Sequence, residues 1–203
     1  MRILFIAVLL ITGMSAYAQE QRSGAIKTRD GFLIYFNYPE NAFTLNVEGD
    51  ADISKFPFIK AKGNYIQFQH AAKSEFGTTT PEVLTKYRKW EADYLKEMFG
   101  GKDIDVRSET IDRNGVTYSF WSHRTPLPED ALAPDVTPVK RAYFLDFVHN
   151  GLVFRFSYAS VSGDKKEALS ILLDIAGQLT FYNEKIDLKK LQEAVMEGKT
   201  TYL

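Results

Sequence analysis

Three histidines, no cysteine and a scatter of acids are the stock from which this chain could build acid–base, nucleophilic or metal chemistry. His70, His123 and His149 show no H-x-H or H-E-x-x-H spacing, so no metal ligand is assigned. Without cysteine, a thiol nucleophile, a thiolate metal site and a disulfide framework are all excluded. Asp103 and Asp105 are two apart, which on a strand turns both carboxylates to one side, as a carboxylate-pair hydrolase would require. Strand ends commonly carry solvated acids, and that plainer reading is preferred. Gly100-Gly101 follows a helical stretch, whereas a phosphate cradle needs its glycine ahead of a helix N-terminus, so the pair reads as a helix stop. No G-x-S-x-G elbow is present. The chain is therefore read as a non-enzyme, with no catalytic residue, metal or cofactor assigned.

Recognition chemistry is concentrated in the segment Thr125 to Pro138. It holds Pro126, Pro128, Pro134 and Pro138 with Glu129, Asp130 and Asp135, and no base. A long connection inside a compact domain is often a binding loop, and prolines lower the cost of ordering it. Trp121, His123 and Arg124 lead directly into it. The candidate binding residues are thus Trp121, His123, Arg124, Glu129, Asp130 and Asp135, aimed at a basic or polar surface of a protein or envelope component. A solvated connector whose prolines protect sheet edges is the competing reading. A hydrolase pairing His123 with acids of this segment is a further, weaker one.

The first eighteen residues bound where this happens. Arg2, the apolar run Ile3 to Ile11 and the small-residue exit Ala16-Tyr17-Ala18 have the order of a secretory signal peptide, and the run is too short to span a bilayer. The expectation is a signal peptide over 1–18, a disordered polar start over 19–24, and one domain over 25–203, placed in the periplasm or secreted. No later apolar stretch approaches the ~18 residues of a membrane span. The net charge of −1 loses one further base, Arg2, on cleavage, so neither nucleic acid nor an anionic membrane is an expected partner.

The elements that must position these residues follow from hydrophobic period. Strand-like runs fill the stretch to Phe76, with Pro57 marking an edge strand or bulge. Val83, Leu84, Tyr87, Trp90, Tyr94, Leu95 and Met98 recur at helical spacing, so the segment from Pro81 to Phe99 is expected as a helix packing this whole stripe on a sheet. Asn114-Gly115 and Asn150-Gly151 each signal a two-residue hairpin turn. A two-residue loop in the second pairs Phe147 with Phe154, Leu145 with Phe156 and Tyr143 with Tyr158 on one face. On the other face it sets Asp146 against Arg155, so burial and charge pairing agree on one register. The first hairpin puts Val116, Tyr118 and Phe120 on one face, Trp121 and His123 on the other. Ser162 or Asp164 caps a helix with Leu169, Leu172, Ile175, Ala176 and Leu179 inward, and Asp187 to Gly198 frames one more short helix.

With these elements in place the chain resembles the PsbP-like family. The likeness rests on the Thr-Pro-initiated helix, the Asn-Gly hairpin with Tyr118 just after its turn, the run Phe147-Val148-His149-Asn150-Gly151-Leu152-Val153-Phe154, and a final helix ending in Gln178-Leu179-Thr180-Phe181. The bacterial periplasmic DcrB-like branch is the part of the family favoured, although its lipidation cysteine is missing here. The resemblance implies an α+β fold, an antiparallel sheet flanked by helices on both sides (an α/β/α sandwich), and a role in binding or assembly. It carries over no functional residue, because the family has no common catalytic motif. The alternative function is carriage of an apolar small ligand between the sheet and the helix bearing Trp90 and Tyr94.

Overall fold

The computed structural model describes residues 22–37, 42–48, 58–61, 64–126 and 137–199. The expected signal peptide lies outside the described residues, as does 127–136 of the proline-rich connector. Among the described residues ten strands and three helices form an α+β fold: β1 (Arg22–Lys27), β2 (Gly31–Asn37), β3 (Ala42–Glu48), β4 (Phe58–Ala61), β5 (Asn64–Ala72), α1 (Thr80–Met98), β6 (Arg107–Arg113), β7 (Val116–Arg124), β8 (Arg141–His149), β9 (Leu152–Ser160), α2 (Lys165–Ala176), β10 (Leu179–Tyr182) and α3 (Leu188–Met196).

The strands make two antiparallel sheets where the sequence suggested one. The larger runs β4-β5-β9-β8-β7-β6 and the smaller β1-β2-β3-β10. Period-2 alternation explains the layering. One face of the large sheet, with Phe68, Phe120, Leu145, Phe147, Phe154 and Phe156, meets Ile34, Phe36, Phe43, Leu45 and Val47 of the small sheet, together with Leu172 and Ile175 of α2. α1 covers the opposite face through β7 and β8. The outer face of the small sheet is closed by α3, whose Leu191 packs with Leu33, Ala42 and Ile186. Helices therefore flank the large sheet on both sides.

Both hairpins form as expected. Asn114 and Asn150 have φ of 52° and 43°, followed by Gly115 and Gly151 at 77°, the positive values a type I′ turn demands. In the β8–β9 hairpin Phe147 faces Phe154, Leu145 faces Phe156 and Asp146 faces Arg155. Asp164 caps α2 by accepting from the N–H groups of Lys166 and Glu167, and Asp187 caps α3 in the same way. Asn37 fastens the entry of α3 to β2, exchanging two hydrogen bonds with the backbone of Ile186.

Three expectations are corrected. Arg22 to Gly24, expected as disordered, belong to β1, where Arg22 lies opposite Asn37. An edge strand is held by backbone bonds, which polar side chains do not prevent. The helix expected to carry Leu179 and end at Phe181 stops at Ala176, and Leu179 to Tyr182 return as β10, with Phe181 opposite Phe43. Four alternating residues after a helix carry too little period to separate the two states. Finally, α1 does not bury the whole aromatic stripe. Its inward residues are Val83, Leu84, Tyr87, Glu91 and Leu95, while Trp90 is 48% exposed and Met98 40%.

Candidate functional site

β7 carries the leading candidates to different places. Its alternation sends Trp121 and His123 under α1 and Arg124 to the surface. Trp121 is buried; its indole Nε1 donates to Asp146 Oδ2 at 2.8 Å, and its ring stacks on Phe144 at 4.1 Å. His123 is buried between Phe99 and Phe144, with Nδ1 3.0 Å from the carbonyl oxygen of Arg124. Burial, above all, lowers its pKa below the usual imidazole value, so the ring is neutral at pH 7. Neither side chain can touch a partner while α1 is seated. Arg124 lies opposite Arg141 in the ladder, a like-charge pair. Arg141 is neutralised by Asp105 and also donates to Ser122 Oγ, whereas Arg124 is exposed at the mouth of the connector. Glu129, Asp130 and Asp135 lie outside the described residues.

Asp103 and Asp105 do not form a facing carboxylate pair. Asp103 Oδ1 accepts the N–H of Asp105, and the Asp105 carboxylate serves Arg107 and Arg141, whose hydrogen bonds, Arg107 first, hold its pKa below the usual carboxylate value. The other histidines are packed against rings: His149 stacks on Phe181 at 3.7 Å, and His70 lies within 6.4 Å of the ring centroids of Phe36, Phe43 and Phe68. Among the described residues no group of three His, Cys, Asp or Glu side chains could hold a metal ion.

The sequence pairs Asp146 with Arg155 but does not reveal the cluster that α1 completes around them. Arg155 on β9 is 1% exposed. Its Nε and Nη2 donate to the two carboxylate oxygens of Asp146 at 2.7 and 3.0 Å, and its Nη1 lies 2.7 Å from Glu91 Oε1 on α1. The guanidinium stands 4.3 Å from the ring centroid of Tyr87 and 5.2 Å from those of Trp121 and Phe144. Burial works against its charge, but the carboxylates of Asp146 and then Glu91 more than reverse this and raise its pKa. Burial likewise raises the pKa of Tyr87, keeping the phenol protonated. Two carboxylates on one guanidinium leave one formal negative charge inside the protein. The readable signal was Glu91 itself, an acid in the middle of the four-residue series Val83, Tyr87, Glu91, Leu95.

This arrangement clamps rather than reacts. Arg155 cannot shuttle a proton at neutral pH, and both acids are committed to it. The space between α1 and the sheet, where an apolar ligand would have to lie, is filled by Arg155, Tyr87, Trp121 and Phe144. The described hollow beside Trp90 and Tyr94 opens instead on the solvent side of α1, where Asp93, Lys96, Glu97 and Gly100-Gly101 line it.

The fold defines a two-sheet α+β protein with a charged helix-on-sheet interface. No protein-family model matches the chain, and no curated protein matches it. Among solved structures it is similar to the solution structure of cyanobacterial PsbP (CyanoP) from Synechocystis sp. PCC 6803, at 12% identity and a TM-score of 0.44, over 84% of this chain and 99% of that one. That comparison singles out no DcrB-like branch, and similarity at this level assigns no residue a role. No described helix is long and apolar enough to cross a membrane.

Proposed function

We propose that this chain is an exported, non-catalytic binding or assembly module of the cell envelope, and that it meets a protein partner through the acidic connector between β7 and β8. The observation that carries the reading is where the acid–base groups end. His123, Glu91, Asp146 and Arg155 are all buried, each in a packing or pairing role. In this proposal Trp121 and His123 anchor the root of the connector, and Arg124, Glu129, Asp130 and Asp135 make the contact. Export rests on the leader pattern of residues 1–18.

The test is retention of envelope proteins on the chain from Gln19 to Leu203, beside a variant with Glu129, Asp130 and Asp135 changed to Ser. A partner held by the first and lost by the second, with unchanged thermal unfolding, is the expected result. Equal retention by both would remove the connector from the contact. Turnover of a small substrate abolished by His123→Ala would overturn the non-catalytic reading.

A further inference from the structure

α1 meets the sheet in an unusual way. Its apolar contacts are split into two small patches, Val83 and Tyr87 on Val153 toward one end, Leu95 on Ile104 and Trp121 toward the other. Between them, at the centre of the interface, sits the Glu91–Arg155 ion pair, the only one described between α1 and the sheet. The sheet does not need it. Without Glu91, Arg155 still makes its two-bonded contact with Asp146 and still lies over Trp121 and Phe144. Glu91, in contrast, gives up its hydration to sit there, and the desolvation of buried charges offsets much of what their attraction returns. A seated α1 is thus only modestly favoured by its charges. Glycines at positive φ stand at both of its ends, Gly77 at 142° before the helix and Gly100 and Gly101 at 67° and 76° after it.

We propose that α1 is a displaceable cover, latched by Glu91 on Arg155, which lifts from the β7–β8–β9 face without unfolding the two-sheet core. Lifting it uncovers Trp121, Phe144 and Val153 around a self-satisfied Arg155–Asp146 pair.

The natural absence of cysteine makes the test clean. Val153→Cys places a thiol on the sheet beneath α1, Val83→Cys places one on the helix side of the same interface, and Val47→Cys places one between the two sheets; all three valines are fully buried. Reaction of each full-length variant with a soluble disulfide reagent is followed in native buffer and in low urea. The expected result is that the Val153→Cys and Val83→Cys thiols react at similar rates, at least about a hundredfold faster than the Val47→Cys thiol and with weaker urea dependence, as local opening requires. Adding Glu91→Gln to Val153→Cys should speed its reaction about fivefold without changing the urea slope. If the two interface thiols react at the rate and with the urea slope of the inter-sheet thiol, α1 leaves only by global unfolding and the cover is overturned. Fast reaction that Glu91→Gln leaves unchanged would overturn Glu91 as the latch.

Discussion

The two faces of the six-stranded sheet are built on opposite principles. Toward the small sheet and α2 the strands present Phe68, Phe120, Leu145, Phe147, Phe154 and Phe156, an aromatic and aliphatic core in which adhesion is non-directional and grows with area. Toward α1 the same strands present Trp121, Phe144, Asp146 and Arg155, so directed bonds around one guanidinium share the adhesion with two separate apolar patches, Val83 and Tyr87 on Val153 and Leu95 on Ile104 and Trp121. A dry face tolerates repacking and resists separation. A charged face is specific about its partner and comparatively easy to part, because water can satisfy each group that leaves.

The sharpest way to break this contrast is to delete the central cation. Arg155→Met leaves Glu91 and Asp146 as two buried carboxylates without a counter-charge, and the expected loss is about 3–5 kcal/mol of unfolding free energy, read by urea denaturation. The dry face supplies the comparator. Leu145→Ala removes buried volume at a fully enclosed site and should cost about 2–5 kcal/mol, with no dependence on salt or on the state of any acid. If Arg155→Met cost less than about 1 kcal/mol, the charged face would contribute little and the contrast would fail.

A smaller effect comes from the imidazole in the dry face. Burial lowers the pKa of His70 from 6.5 to about 4. The unfolded chain therefore binds a proton that the folded chain refuses between these values, and stability is lost as pH falls through that window, at up to about 1.4 kcal/mol per pH unit. His123 and His149 are shifted in the same direction by burial and add to the same trend. The urea midpoint should drop as pH falls from neutral into that window, and His70→Leu should flatten that drop more than the corresponding change at His149. An unchanged profile in His70→Leu would mean that His70 takes up its proton in the folded protein.

Much of this architecture was legible because short-range rules agreed with one another. The Asn-Gly turns, the alternation of β8 and β9 and the Asp146–Arg155 register all pointed to one hairpin, and that hairpin forms. What escaped was non-local. β10 is defined by pairing with β3, far away in sequence, and four residues cannot announce such a partner. Glu91 escaped because hydrophobic period treats a glutamate as an outward residue, and only the guanidinium waiting on β9 makes an inward one tolerable. Admitting Glu91 to the inward face turned Trp90 and Met98 outward. The candidate site was legible as composition, since the strand alternation that buries Trp121 and His123 was read correctly while the helix lying over them was not assigned to that face.

The smallest expected effect tests the contrast most finely, because it touches the same ion pair from its other end. Glu91→Gln keeps an amide oxygen able to accept from Arg155 Nη1, removes the charge in excess, and leaves Arg155 still bound by both oxygens of Asp146. The lost charge assistance and the relieved desolvation oppose each other, so the net cost should be about 1 kcal/mol, the free-energy equivalent of the fivefold faster lifting of α1. Arg155→Met and Glu91→Gln therefore act on the two ends of one ion pair yet differ by about 2–4 kcal/mol. Combining them should return part of the Arg155→Met loss, because Glu91→Gln removes one of the two stranded carboxylates. Unfolding curves of the two single variants and the double variant measure that return directly. A double variant less stable than Arg155→Met alone would show that Glu91 stabilises the interface independently of Arg155, and the charged face would then be a sum of separate contacts instead of one network around a single cation.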